Sequence, residues 1–268
     1  MLTLYHNGLS TCSQKVRMAL AEAGLEYQSE VVDLIGGGQH DPEYVKLNPK
    51  HVVPTLVVDG TVIRESTIIN EYIAGSSPGA DLVPRDPLAA SKMRMWVKRI
   101  DDDIHGKTSG VFTHSLWTRN IMGGRSAEEK EAYFAGIPDA AERDLRRSIL
   151  ADGVGSAVYA NAVERIVGLF NELELALGGK TWLMGDQFTL ADMSVMPYVL
   201  RTSDAAMDKM WRDGRRPNLA AWFDRIRERA SYGPAVTDWA PDELISMLRS
   251  FGEKERDAIE KVIDAKDT

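Results

Sequence analysis

Residues 10–13 read Ser10-Thr11-Cys12-Ser13, three hydroxyls around the chain's single thiol, and they open a pattern in which Val16, Ala19, Leu20 and Ala23 recur at helical spacing. A hydroxyl in such a place donates a hydrogen bond; a thiol there is either inert packing or a nucleophile and redox centre. Helical spacing sets Cys12 four residues before Val16, toward a core, and Ser13 on the face of Arg17, while Ser10 precedes the helix and belongs to the loop. One cysteine excludes an internal disulfide and a cysteine-rich zinc site, and no metal is expected.

Two further stretches are candidates for holding a ligand. In "HVVPTLVVDG" a proline stands between a loop and a strand; since proline cannot donate to a sheet ladder, Pro54 marks the strand's first position or a special turn. A cis Val53–Pro54 bond accounts for it and leaves the Val53 amide and carbonyl facing outward, toward an extended peptide-like ligand. In "ESTII", Glu65 and Ser66 start a helix whose unpaired N–H groups and positive dipole end favour a carboxylate.

The elements that must position these residues follow from apolar spacing. "LTLY" is a buried strand, the 10–23 helix ends at Gly24, and "EYQSEVVDL" is a second strand. After the loop "IGGGQHDPEYVKLNP", the runs "PTLVV" and "TVI" around the turn "DG" form a hairpin, and "ESTIINEYIAG" closes the unit as a helix. Composition shifts at "GSSPGADLVPRDP", a linker, and from residue 88 onward only helical periodicity is evident. Residues 1–76 are thus expected to form an α/β domain, 77–88 a linker and 89–268 an all-α domain with a charged surface helix or frayed end as its tail. Thr189 and Asp192 in "FTLADMSVMPYV" read as a helix cap.

A formal net charge of −8 argues against a nucleic-acid footprint, and the basic stretch "RRPNLAAWFDRIRER" reads as a solvated helix face. The apolar runs fall short of a membrane span, and "MLTLYHNGLS" has no secretory pattern, so a cytoplasmic protein without a membrane or nucleic-acid partner is expected.

The pieces "STCSQKVRMALAEAGLEY", "LNPKHVVPTLVVDG", "ESTIINEYI" and "FTLADMSVMPYV", in that order, resemble cytosolic glutathione S-transferases across nearly the whole chain. The resemblance implies a thioredoxin-like N-terminal domain, an all-α C-terminal domain, glutathione as cosubstrate and a homodimer. It also implies that the Val53 backbone beside Pro54 holds the cysteinyl part of glutathione, while Glu65 and Ser66 hold its γ-glutamyl end. Gln39 and His40, which the resemblance sets at the start of a second helix, with Lys50 or His51 before the cis-proline, would approach the glycine carboxylate, and Asp101, on the first helix of the second domain, is placed where some relatives reach the neighbouring subunit's glutathione.

Such an enzyme must favour the thiolate of its cosubstrate, since a free thiol is mostly protonated at neutral pH. Ser10 matches the catalytic serine of zeta-class enzymes and maleylacetoacetate isomerases, Cys12 the cysteine of tetrachlorohydroquinone reductive dehalogenase, and Ser13 the serine of bacterial β-etherases. Ser109, Phe112, Thr113, Leu116 and Trp117 fall where the family builds its pocket for a hydrophobic or aromatic electrophile. "GGQHDPEYVKLNP" and the helix-helix connection "GIPDAAERDLRRSILADG" resemble the β-etherases in particular. Conjugation of an aromatic electrophile, with β-aryl ether cleavage as one form, is therefore the first reading. Reductive dehalogenation or isomerisation through Cys12, or a binding role without catalysis, are the others.

Overall fold

The computed structural model describes residues 1–34, 36–109, 122–137 and 139–267. The chain folds into two compact units: Met1–Lys98 with Leu177–Leu200 and Ala221–Pro241, and Arg99–Ala176 with Arg201–Ala220 and Asp242–Thr268.

The first unit is built on β1 (Leu2–His6), α1 (Thr11–Glu22), β2 (Gln28–Val31), α2 (Pro42–Leu47), β3 (Thr55–Val58), β4 (Thr61–Arg64), α3 (Ser66–Ser76) and α4 (Pro87–Arg99). The strands form one sheet in the order β2-β1-β3-β4, with β1 parallel to β2 and antiparallel to β3, and β4 antiparallel to β3. Asp59 and Gly60 both take positive φ, the two-residue turn that matches strand twist in a hairpin. Leu4 and Leu56 of the sheet, Val16, Ala19 and Leu20 of α1, and Ile69 and Ile73 of α3 are all fully buried, and α3 packs on both α1 and the β3–β4 hairpin.

Three expectations are corrected here. The stretch 35–49 is not all loop: Asp41 caps α2 by accepting from the Glu43 N–H at 2.8 Å, with Pro42 at the first helical position. The face argument for α1 fails, because every residue from Thr11 to Leu20 is buried, Ser13 and Arg17 included. And "RRPNLAAWFDRIRER" is not simply a solvated face, since Arg216 is buried and bonded to Asn171 and the Met210 carbonyl.

The second unit is helical, with no strand among its described residues. It contains a π-type helix at Ile100–Ser109, α5 (Ala127–Ala135), α6 (Ala140–Asp152) and α7 (Ala157–Ala176), whose Val163, Ile166, Val167, Phe170 and Leu173 are buried as their spacing predicts. The connection around residues 140–152 is therefore itself a helix, and Asp101–Asp103 lie in the π-type helix. Two helices end the chain: α11 (Asp242–Lys254) and α12 (Arg256–Asp267), following α8 (Leu190–Asp204), α9 (Pro217–Arg227) and α10 (Tyr232–Ala235). The tail is packed rather than frayed, with Ile259 and Ile263 buried.

Candidate functional site

Sheet register gathers the candidate residues. Tyr5 pairs with Thr55 and Thr55 with Arg64, so the turn leaving β1, the residues entering β3 and the residues leaving β4 all lie at one end of the sheet. His6 pairs with Val31, which brings the segment after β2 to that same end. This is the carboxyl end of the parallel pair, the usual side for a ligand in an α/β sheet.

Ser10 caps α1. Its Oγ accepts the Ser13 N–H at 3.2 Å and its carbonyl accepts the Gln14 N–H at 2.9 Å. Capping uses an acceptor lone pair only, so the partly exposed Ser10 O–H is left to donate beside a helix N-terminus. Ser13 is fully buried, and its Oγ accepts the Asn7 N–H at 3.3 Å, which ties the helix to the turn. Asn7 in turn donates to the Val32 carbonyl at 3.0 Å and accepts the Leu9 N–H at 3.1 Å. Cys12 is buried beside Tyr198, whose hydroxyl bonds Lys15 and Thr11 and is pushed up chiefly by burial. The three candidate atoms thus have three environments: Ser10 is partly exposed, Cys12 is 9 % exposed and Ser13 is fully buried.

The Val53–Pro54 bond is cis. Tyr44 Oη donates to the Val52 carbonyl at 2.6 Å, Asn48 Nδ2 donates to it at 2.9 Å, and Asn48 also bonds Thr55 Oγ1 at 3.0 Å. Burial raises the Tyr44 phenol, keeping it a donor. The Val53 side chain packs on Val32 and Tyr44, while its N–H and C=O make no hydrogen bond among the described residues. Tyr44 and Asn48, which brace this segment, were not legible in the sequence because the stretch reads as loop.

Glu65, at φ 67° and ψ 115°, precedes α3 without capping it through its side chain, and Ser66 is the buried first helical residue. The first-turn N–H groups of α3 therefore face the same sheet end as Val53. Across from them Lys50 Nζ meets Glu65 Oε1 at 2.6 Å, His40 Nδ1 meets His51 Nδ1 at 3.1 Å, and Gln39 Nε2 meets His40 Nε2 at 3.3 Å. An N···N hydrogen bond needs one ring nitrogen that carries a hydrogen and one that does not, so across this contact one imidazole donates and the other accepts. Ser10, Gln39, His40, Lys50, His51, Val53, Pro54, Glu65 and Ser66 therefore all belong to one end of one sheet. Asp101 is exposed in the second unit. Only the backbone of Ser109 is described, and Phe112, Thr113, Leu116 and Trp117 lie outside the described residues.

The arrangement offers a backbone edge for an extended peptide, a helix N-terminus for one carboxylate, cationic and imidazole donors for another, and a hydroxyl at a helix start between them. Among the described residues no group of three metal-ligating side chains occurs.

A family model described as glutathione S-transferase, N-terminal domain, matches residues 9–75, and one for the C-terminal domain of the same family matches residues 156–225. Glutathione S-transferase 3 of Zea mays is 30% identical over 237 residues, covering 88% of this chain and 93% of that protein. Maleylacetoacetate isomerase of Pseudomonas aeruginosa is 30% identical over 232 residues, covering 85% and 94%. Among solved structures, β-etherase LigF from Sphingobium sp. strain SYK-6 matches with a TM-score of 0.76 at 27% identity, covering 87% of this chain and 98% of that one. Models of both domains and near-full-length relatives agree, and the chain belongs to the glutathione S-transferase family, enzymes that take glutathione as cosubstrate.

Proposed function

We propose that the protein activates the glutathione thiol for attack on a hydrophobic aromatic electrophile, with Ser10 as the residue that holds the thiolate. One contrast carries this reading. The Ser10 O–H is partly exposed at a helix N-terminus, whereas Ser13 is fully buried against the Asn7 N–H and Cys12 is buried beside Tyr198. A hydroxyl donor backed by the helix dipole lowers the energy of an adjacent thiolate without titrating itself. In this reading residues 1–76 bind glutathione: Val53 beside Pro54 pairs with its cysteinyl unit, and Glu65 and Ser66 take its γ-glutamyl amine and carboxylate. Gln39, His40, Lys50 and His51 face its glycine carboxylate. Residues 89–268 supply the electrophile pocket. The protein acts in the cytoplasm as a homodimer.

Among aromatic electrophiles an aryl ether is favoured, on the match to a β-etherase over nearly the whole of that chain. The thiolate attacks the carbon next to a ketone, the bond from that carbon to the aryloxy oxygen breaks, and the departing phenolate takes a proton from water. Glutathione itself is the nucleophile; the protein orients it and stabilises its charge.

Ultraviolet thiolate absorbance on titrating glutathione into wild type and the Ser10→Ala, Cys12→Ala and Ser13→Ala variants tests the assignment. Wild type and Cys12→Ala are expected to form bound thiolate, and Ser10→Ala to lose most of it. Loss of the signal in Cys12→Ala alone would move the reading to thiol chemistry such as reductive dehalogenation. Absence of thiolate in wild type would favour a binding protein without catalysis.

A further inference from the structure

Arg17 lies on α1, is fully buried, and has no carboxylate partner among the described residues. Its guanidinium spends its donors on one turn and one distant segment. Nη1 donates to the Asn7 carbonyl and to His6 Nδ1, both at 3.0 Å, and Nη2 donates to the Gly8 carbonyl at 2.9 Å. Nε donates to the Ala235 carbonyl at 2.7 Å. The Trp239 ring lies 5.6 Å from the guanidinium and stands edge-on to His6 at 4.5 Å, and its indole N–H is held by the Pro234 carbonyl at 2.8 Å. At Gly8 the approach is closer still: a Cβ there would fall 2.1 Å from the Trp239 carbonyl oxygen.

A buried cation satisfied by carbonyls and an imidazole is a poor source of stability, because its desolvation is costly and an apolar side chain would fill the space more cheaply. What a rigid planar fork of donors does supply is geometry. The Asn7 carbonyl that Arg17 fixes also accepts the Ser10 N–H at 3.3 Å, and the Asn7 N–H is held by Ser13 Oγ. The turn carrying Ser10 is thus pinned at successive points by α1 from behind and by the 235–239 segment from the side.

We infer that Arg17, with the Ala235–Trp239 segment as its second anchor, is a positioning residue that fixes the Asn7–Ser10 turn and so aims the Ser10 hydroxyl at the glutathione sulfur. The inference rests on the proposed role of Ser10. Burial lowers the Arg17 guanidinium to about 10, which leaves it charged at neutral pH. Val53, Glu65 and Ser66 are held by other elements, so glutathione binding and thiol activation respond differently when the turn shifts.

Arg17→Lys keeps the charge and removes the fork; Gly8→Ala keeps Arg17 and displaces the turn from Trp239. For both, the expected result is a glutathione KM within about 3-fold of wild type and a kcat lower by about 10- to 100-fold, the scale of effect that a misplacement near 1 Å produces. The pKa of the bound thiol, read by ultraviolet difference titration, should rise toward that of free glutathione. Variants that bind glutathione with the wild-type thiol pKa and kcat overturn the inference. If either fails to fold, Trp239→Ala, at a partly exposed residue, gives the same readout, and the same criterion applies. A wild type that binds glutathione without forming thiolate, or a Ser10→Ala variant equal to wild type, sinks the role of Ser10 instead.

Discussion

His6 accepts from Arg17 Nη1 through Nδ1 and lies 2.8 Å from Ser29 Oγ through Nε2, so its neutral form carries the proton on Nε2. Burial first and the Arg17 charge second lower its pKa from near 6.5 to about 4. The unfolded chain then binds a proton on this residue that the folded chain refuses, and folding stability contributed by His6 is complete above pH 6.5 and lost as pH falls toward 4. Wild type should lose about 2 kcal/mol from this source between pH 7 and pH 5. His6→Gln can keep both hydrogen bonds without titrating, so urea unfolding at the two pH values should show a smaller loss in the variant. Equal losses would show that His6 is not the group responsible. Nothing in "LTLYHNG" marks this histidine as buried: the strand could be recognised, but Arg17, which donates to its Nδ1, lies on the helix face set apart from the core-facing Cys12.

At the scale of elements, local capping was legible and burial on two sides was not. Thr189 and Asp192 were readable as the start of α8, and Asp192 accepts from the Thr189 N–H and the Leu183 N–H at 3.0 Å and from the Trp222 indole at 2.9 Å. Its carboxylate therefore does more than cap: it joins α8, a preceding turn and α9 within the first unit. Asp192→Ala would leave these buried donors unmatched and should lower unfolding free energy by about 3 kcal/mol, measured by urea denaturation. A loss below about 1 kcal/mol would reduce the residue to an ordinary cap. The hairpin, the cis-proline and both helix starts were likewise legible, since each depends on residues adjacent in sequence. The face of α1 misled because the helix meets α3 and is also covered by α10, an element more than two hundred residues later. Helical periodicity reports one buried side; it carries no information on a second. The short α2, implied by the family resemblance, escaped the apolar pattern because six residues hold fewer than two turns of it.

At the scale of the molecule, the first unit leaves Val52, Ile68, Leu88 and Met95 exposed. Leu88 and Met95 are seven residues apart on α4 and share a face, and Ile68 precedes Glu71 by three on α3. Arg94 forms a two-bond ion pair with Glu71 at 2.8 and 2.9 Å, so the exposed apolar side chains of the two helices flank one contact. Exposed apolar side chains on two helices joined by an ion pair suit a self-complementary surface, and this is where we place the subunit contact of the proposed homodimer. Introducing like charges there should split the dimer, because in a two-fold contact each substitution faces its own copy or a near neighbour. Ile68→Glu with Met95→Glu is expected to sediment as a monomer at concentrations where wild type has twice the chain mass, with far-ultraviolet circular dichroism unchanged. A wild type that is monomeric under the same conditions refutes the dimer. A double variant that stays dimeric moves the contact elsewhere on the chain, where the exposed Leu175 of α7 would be the next residue to charge.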